Sequence, residues 1–225
     1  LASLTRTMLE QRSLAATEAF FHLTPRYPHA IKSLYHLLQM PFVGVSFGHV
    51  AARLPSLLAG LGALVFLYVA ATRIFGDRAA GTSGPSVHGV AVVALLATDP
   101  QFVYISHFAR QESLLVAVFC ASLAYYAACT DGLRRAASPR RLAVLAAILG
   151  ASIGIHPNAF IVALPFGALV LAQRGPARAT LRDVGVVAGV VAGFAAIFVG
   201  LSLLMDRQFF AHYLAFGAEV GVTAS

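Results

Sequence analysis

Six apolar runs, separated by short segments that carry most of the Arg, fill the chain from residue 54 to residue 205. They cover residues 54–75, 87–98 with a continuation toward 108, 113–129, 142–155, 159–172 and 184–205. A helix that crosses a bilayer needs about 20 apolar residues, with a range of about 17–25. The second, fourth and fifth runs are short and must recruit flanking polar residues to span. A soluble helical bundle would need polar faces that these runs lack. Hydrophobic residues are 59% of the chain and charged residues 11%, against roughly 25% charged in soluble domains. A water-soluble surface cannot be covered from so few polar groups. The expectation is an all-α, polytopic transmembrane helical bundle of about six spans. Gly60, Gly62, Gly185, Gly189 and Gly193 suit close helix contact in lipid. Residues 156–158 leave room only for a tight turn between the fourth and fifth runs.

Residues 1–50 read differently, and the sequence divides into an amphipathic segment, 1–50, and a membrane domain, 51–225. Leu4, Met8, Leu9, Leu14 and Ala15 recur at near-helical spacing. Thr24-Pro25-Arg26-Tyr27-Pro28-His29 breaks any helix. A second amphipathic stretch over 30–40 puts Ile31, Leu34, Tyr35 and Leu38 on one face, and Pro41 is expected to end it. These stretches predict interfacial helices lying on the membrane within an outer loop. The chain begins at Leu1 with no basic-then-apolar leader, which suggests that further sequence precedes it.

The net charge of +7 sits in Arg clusters between apolar runs, not in a basic stripe with interleaved aromatics. It therefore reads as a topology signal and not as a nucleic-acid footprint. Loops 73–78, 131–141 and 174–182 hold Arg73, Arg78, Arg134, Arg135, Arg140, Arg141, Arg174, Arg178 and Arg182. The opposite short loops hold Arg110 and Arg207. The positive-inside rule assigns the first set to the cytoplasm. Arg6, Arg12, Arg26, Lys32 and Arg53 then fall outside, in a long segment where the rule is weak. Of the eight His, His88 alone falls toward the Arg-rich side. His22, His29, His36, His49, His107, His156 and His212 fall on the other, with Glu10, Glu18, Asp99, Glu112, Asp206 and Glu219. Chemistry is expected on that face, although His and Tyr also favour interfaces for their own sake. Cys120 and Cys129 point to roughly opposite faces of one helix, so a disulfide between them is not expected.

The densest polar run near a membrane boundary is residues 99–113, Asp-Pro-Gln-Phe-Val-Tyr-Ile-Ser-His-Phe-Ala-Arg-Gln-Glu-Ser. A carboxylate at the mouth of a span is costly unless it meets a wet cavity or a partner. Glu112 is therefore the leading candidate for a functional acid. The alternative is an Arg110–Glu112 or His107–Glu112 pair that only anchors the helix. In a regular helix Arg110 and Glu112 diverge by about 200°, so direct pairing requires non-helical backbone. His156-Pro157-Asn158 forms a second constellation, in which Pro157 suits the first turn of the following helix. It serves either an outer cavity or turn geometry alone.

Several of these stretches occur together, in order, in one known group. Thr5-Arg6-Thr7-Met8-Leu9-Glu10, Tyr27-Pro28-His29, Gly44-Val45-Ser46 with Ala52-Arg53-Leu54-Pro55-Ser56, Phe108-Ala109-Arg110-Gln111-Glu112-Ser113 and Gly154-Ile155-His156-Pro157-Asn158 are the stretches concerned. In this order the chain resembles the GT-C-type membrane glycosyltransferases, which use polyprenyl-phosphate sugars and include protein O-mannosyltransferases and lipid A aminoarabinose transferases. The resemblance extends over most of residues 1–173. Two departures stand out. The family's first-loop acid would lie before Leu1, and its His-Pro-Pro is replaced by Pro28-His29.

The resemblance implies a membrane glycosyltransferase of the non-cytoplasmic face that inverts the anomeric centre. The donor would be a polyprenyl-phosphate-linked sugar and the acceptor a hydroxyl on protein, lipid or glycan. The family's first-loop acid is its usual base, so Glu112 is expected to be the catalytic group that orients the acceptor. Arg110 and His107 are expected to balance the leaving phosphate, and His156, Asn158 and His29 to bind substrate. No metal ligand is assigned, because one carboxylate does not make a divalent site; a divalent ion is the single cofactor the resemblance leaves open. The expected location is the plasma (inner) membrane, with the active face periplasmic or extracellular. The competing classes are a polytopic transporter, which places polar groups at broken mid-membrane helices, and a non-catalytic scaffold of the same fold.

Overall fold

A computed structural model of the protein describes residues 2–17, 28–76, 86–108, 110–156, 158–172 and 177–219, with side chains through residue 215. Glu18, His22, Thr24 to Tyr27, Asp77, Arg78, Ala109, Pro157, Arg174 and the Glu219 side chain lie outside the described set. Among the described residues the chain is all-α, with ten helices and no strand. In chain order they are α1 (Ala2–Glu10), α2 (Ser33–Val45), α3 (His49–Phe75), α4 (Val87–Ala97), α5 (Pro100–His107), α6 (Glu112–Cys129), α7 (Pro139–Ala151), α8 (Ala159–Ala172), α9 (Ala177–Met205) and α10 (Phe209–Glu219). A 3-10 turn, Ser152–Gly154, follows α7.

The protein is a multi-pass membrane helical bundle. Helices α3, α6 and α9, of 27, 18 and 29 residues, are long and apolar enough to cross a bilayer. Helices α4 and α5 reach that standard only together, and they bend by 68° at their junction, so the described helices give three spans, or up to four. The break has a local cause. Pro100 has no N–H to continue α4, and the Asp99 carboxylate accepts the Phe102 amide at 2.7 Å, capping a new helix. The expected single span over 87–108 is therefore two helices at an angle. The expected spans at 142–155 and 159–172 are helices of 13 and 14 residues. At 1.5 Å per residue each covers only about 20 Å of a hydrocarbon core near 30 Å.

Packing is concentrated on a few faces. Leu142, Leu145, Ala146 and Leu149 are all buried along one stripe of α7, the spacing of a single helix face. They meet Tyr126, Phe166, Val170 and Val187 of α6, α8 and α9. Ala63 of α3, Phe102 of α5 and Cys120 of α6 form a second cluster. Both cysteines are unpaired, in line with their opposite directions on α6. The outer faces stay apolar, with Leu181, Leu204, Val65 and Leu95 exposed, as lipid contact allows.

Helix α2 divides the expected apolar stripe, with Tyr35 buried and Leu34 packed beside it while Leu38 is exposed. Tyr35, His36, Gln39 and Val43 are its buried residues, while Leu37 and Leu38 are exposed. His36 and Gln39 thus face the protein together with Val43 and Leu34. Pro41 does not end this helix; it lies inside it, and the helix continues to Val45.

The two ends of the bundle differ in chemistry. At one, Gly132 lies against the Arg73 carbonyl, Arg141 donates to the Cys129 carbonyl at 3.2 Å, and His88 stacks near Phe75. At the other, the Ser56 hydroxyl bonds the Arg110 main chain, the Ala30 amide donates to Ser202 at 2.9 Å, and Phe198 packs against Gly154. The Arg-bearing loops thus share one end. Glu112, His156 and the segment around His29 share the other.

Candidate active site

Helix α6 begins at Glu112, with Gln111 as its N-cap and Arg110 outside the helix. That non-helical corner lets Arg110 turn back, and its Nε stands 3.4 Å from Glu112 Oε2. The Arg110 main chain is held on both sides. Its N–H donates to Ser56 Oγ at 3.1 Å. Its carbonyl accepts from Ser56 Oγ at 2.9 Å and from Ser113 Oγ at 2.9 Å. The guanidinium lies 5.8 Å from the Tyr104 ring centroid, and Tyr104 packs on Phe108. Arg53 covers the Phe108 ring in turn.

Glu112 occupies the first turn of α6, where the helix dipole favours a carboxylate. Its Oε2 is buried and, among the described residues, accepts no hydrogen bond; the Arg110 contact is an ion pair without hydrogen-bond geometry. A buried acceptor left in that state is costly and suits a group that receives a hydroxyl from outside the chain. The pair is partly open to solvent, with side chains 45% and 36% exposed. Its worth to stability is accordingly small.

Tyr35 of α2 completes the site from below. It is fully buried and packs with Leu114 and Ile155. Burial, and then the negative charge of Glu112, push its phenol up to about 12, so it stays protonated. Behind it runs a buried polar chain. Gln39 donates to the Tyr35 oxygen at 3.3 Å and to the Ala52 carbonyl at 3.1 Å. Thr5 donates to Gln39 Oε1 at 2.6 Å. A hydroxyl carries one proton, so the 2.8 Å contact between Thr5 and His36 Nδ1 makes that ring nitrogen the donor.

The other expected residues sort unevenly. Of the two partners expected for Glu112, Arg110 meets it; His107 Nδ1 instead contacts the Val103 carbonyl of its own helix at 2.9 Å. His156 accepts the Asn158 amide on Nδ1 at 3.0 Å. Its neighbour Ile155 carries this turn to Tyr35 and Leu114, at the same end as Glu112. His29 lines a separate cavity of about 20 Å³ with Met8, Leu14, Ala16 and His36, room for roughly one water. Asp206 and His212, assigned only to a face by the sequence, pair at that end of α9 and α10. The hydrogen bond from His212 holds the Asp206 carboxyl below the usual carboxylate range.

A divalent ion takes several oxygen ligands. Among the described residues no group of three or more His, Cys, Asp or Glu is placed to hold one. Glu112, already facing a guanidinium, does not make such a seat alone.

Sequence reading passed over Ser56 and Tyr35. Ser56 stood within a stretch that carries the family resemblance, so a signal existed. Tyr35 was masked by apolar neighbours that turn outward.

A family model described as dolichyl-phosphate-mannose-protein mannosyltransferase matches residues 35–202. The match includes Tyr35, Ser56, Arg110, Glu112, His156 and Asn158 and excludes His29. No curated protein and no solved structure matches the chain.

Proposed function

Because the chain belongs to the dolichyl-phosphate-mannose-protein mannosyltransferase family, we propose that it transfers a sugar from a polyprenyl-phosphate donor to a hydroxyl acceptor. The acceptor oxygen attacks the anomeric carbon from the face opposite the phosphate, so configuration inverts. The bond to the phosphate oxygen breaks, and the hydroxyl proton passes to the acid that the family carries in its first loop. The single observation that carries this reading is the Glu112 carboxylate, with one buried oxygen accepting no hydrogen bond among the described residues and Arg110 beside it. Glu112 orients the acceptor hydroxyl. Arg110 faces the charge that develops on the departing phosphate, where a pre-placed cation lowers the barrier. His107, His156 and Asn158 lie at the same end to bind phosphate or sugar hydroxyls, and His29 is a more remote contact. The site opens on the non-cytoplasmic face of the plasma membrane. Incubation of the full-length protein with radiolabelled polyprenyl-phosphate sugars and candidate hydroxyl acceptors tests the reading; no transfer to any acceptor would sink it.

One observation favours a transporter as the second reading. The 68° break between α4 and α5 is the kind of discontinuity that transporters place beside a solute. The carboxylate at that break is spent on capping α5, which leaves the transferase reading stronger. Uptake of a labelled solute by reconstituted protein, without glycosyl transfer, would reverse the order.

A further inference from the structure

We propose that Ser56 is a positioning residue. From α3 it fixes the main-chain corner that turns Arg110 back onto Glu112; the proposal rests on the transferase reading above. Residues two apart on a helix diverge by about 200°, yet the two side chains meet at 3.4 Å. They meet because Arg110 is held off the helix. Its amide and its carbonyl both bond one hydroxyl, Ser56 Oγ, at 3.1 and 2.9 Å.

A hydroxyl can do both tasks, since it has one proton to give and lone pairs to receive. The fit is enclosed, because Ser56 is fully buried. Within the corner, Ser113 supports only the carbonyl, and the Arg110 amide also contacts the Phe108 carbonyl at 2.8 Å. Loss of the Ser56 hydroxyl therefore leaves the amide and the carbonyl one local partner each, at Phe108 and Ser113, and removes the tie that holds the corner to α3. The corner can then relax toward regular helix, which carries the guanidinium away from the carboxylate. Removing one hydroxyl from α3 thus disarms a pair at the entrance to α6 whose side chains it does not bond.

The test uses the full-length protein in lipid nanodiscs, with radiolabelled polyprenyl-phosphate mannose and a Ser/Thr-bearing peptide as probes. Ser56→Ala is expected to lower kcat about ten- to a hundredfold, the scale of a misplaced reacting group, with a smaller change in donor KM. Ser56→Thr keeps a hydroxyl and is expected to restore turnover. Hydrogen–deuterium exchange of the segment around Arg110 is expected to quicken in Ser56→Ala and not in Ser56→Thr. Wild-type kcat and wild-type exchange in Ser56→Ala would overturn the proposal. So would a loss of activity that Ser56→Thr fails to rescue while exchange stays unchanged. If wild-type protein transfers no sugar from any polyprenyl-phosphate donor to this or any other acceptor, the transferase reading fails instead, and the exchange comparison still decides whether Ser56 holds the corner.

Discussion

Arg110 Nε reaches Glu112 Oε2 at 3.4 Å across a corner that is not helical. Both side chains are more than a third exposed, so the contact adds at most about 1 kcal/mol to stability. An anchor and an active-site pair then predict different outcomes. Glu112→Gln is expected to cut sugar transfer by about a hundredfold, the scale of a misoriented reacting group, with membrane insertion and melting temperature nearly unchanged. Full turnover in Glu112→Gln, with a lowered melting temperature, would make the pair an anchor.

Tyr35 gives a pH signature that belongs to α2. Its phenol is pushed up to about 12 from an ordinary value of 10.0. The folded state therefore favours the protonated form. That contribution is complete below pH 10 and is lost as pH rises through 12, up to about 3 kcal/mol in all. Tyr35→Phe is expected to be less stable at neutral pH, by about 1 kcal/mol for the lost Gln39 hydrogen bond. It should also lose stability less steeply above pH 10. Unfolding in detergent across that range checks this, and parallel curves for the two proteins would refute it.

Gly60 sets how closely α5 lies on α3. A Cβ there would stand 2.6 Å from Ser106 Oγ and 2.9 Å from Ser106 Cβ. The hydroxyl can rotate aside, but the Cβ cannot move without α5. Gly60→Ala is expected to cost about 1–3 kcal/mol by overpacking and to shift the helix that ends at His107. Thermal unfolding measures the cost. The double variant Gly60→Ala with Ser106→Gly should recover most of it.

These residues also mark how far the sequence was legible. Charge and apolar patterning fixed fold class and the sorting of the two ends, because Arg clusters and His positions are properties of composition along the chain. The Glu112 candidate was legible because an acid at a span boundary stands out against its apolar neighbours. Its pairing with Arg110 was one of two alternatives, with the non-helical backbone it needs; what holds that backbone was not legible, since it is a hydroxyl 54 positions away on another helix. Hydropathy registers residues 142–172 as apolar but does not see the turn at Ser152, which leaves helices of 13 and 14 residues there. The buried polar face of α2 was not legible because an amphipathic stripe does not say which side meets lipid. Tyr35, His36 and Gln39 are buried together because they bond one another and Thr5.

At the Arg-rich end, Gly132 adopts φ +68, and a Cβ there would fall 2.1 Å from the Arg73 carbonyl oxygen. Both the backbone strain and the clash are with rigid groups. Gly132→Ala is therefore expected to destabilise by more than about 2 kcal/mol, a larger fall in melting temperature than Gly60→Ala gives. A neutral effect would mean that the loop after α6 does not rest on α3.

The two ends of the bundle should also be separable by side of the membrane. Arg134, Arg135, Arg140, Arg141, Arg178 and Arg182 are exposed at one end, and short loops of that kind stay in the cytoplasm. Ala136 lies among them, and Gln208 is exposed at the end that holds Glu112. In a background with Cys120 and Cys129 replaced by Ala, Gln208→Cys is expected to react with a membrane-impermeant maleimide on intact cells. Ala136→Cys should react only after the membrane is opened or in inverted vesicles. The reverse pattern would put Glu112 on the cytoplasmic side and remove the face assumed for the donor. Labelling of both from one side would be more serious. Helix α9 runs from beside the Arg loops to Ser202, which meets the segment around His29. A single crossing by that helix must place the two positions on opposite sides.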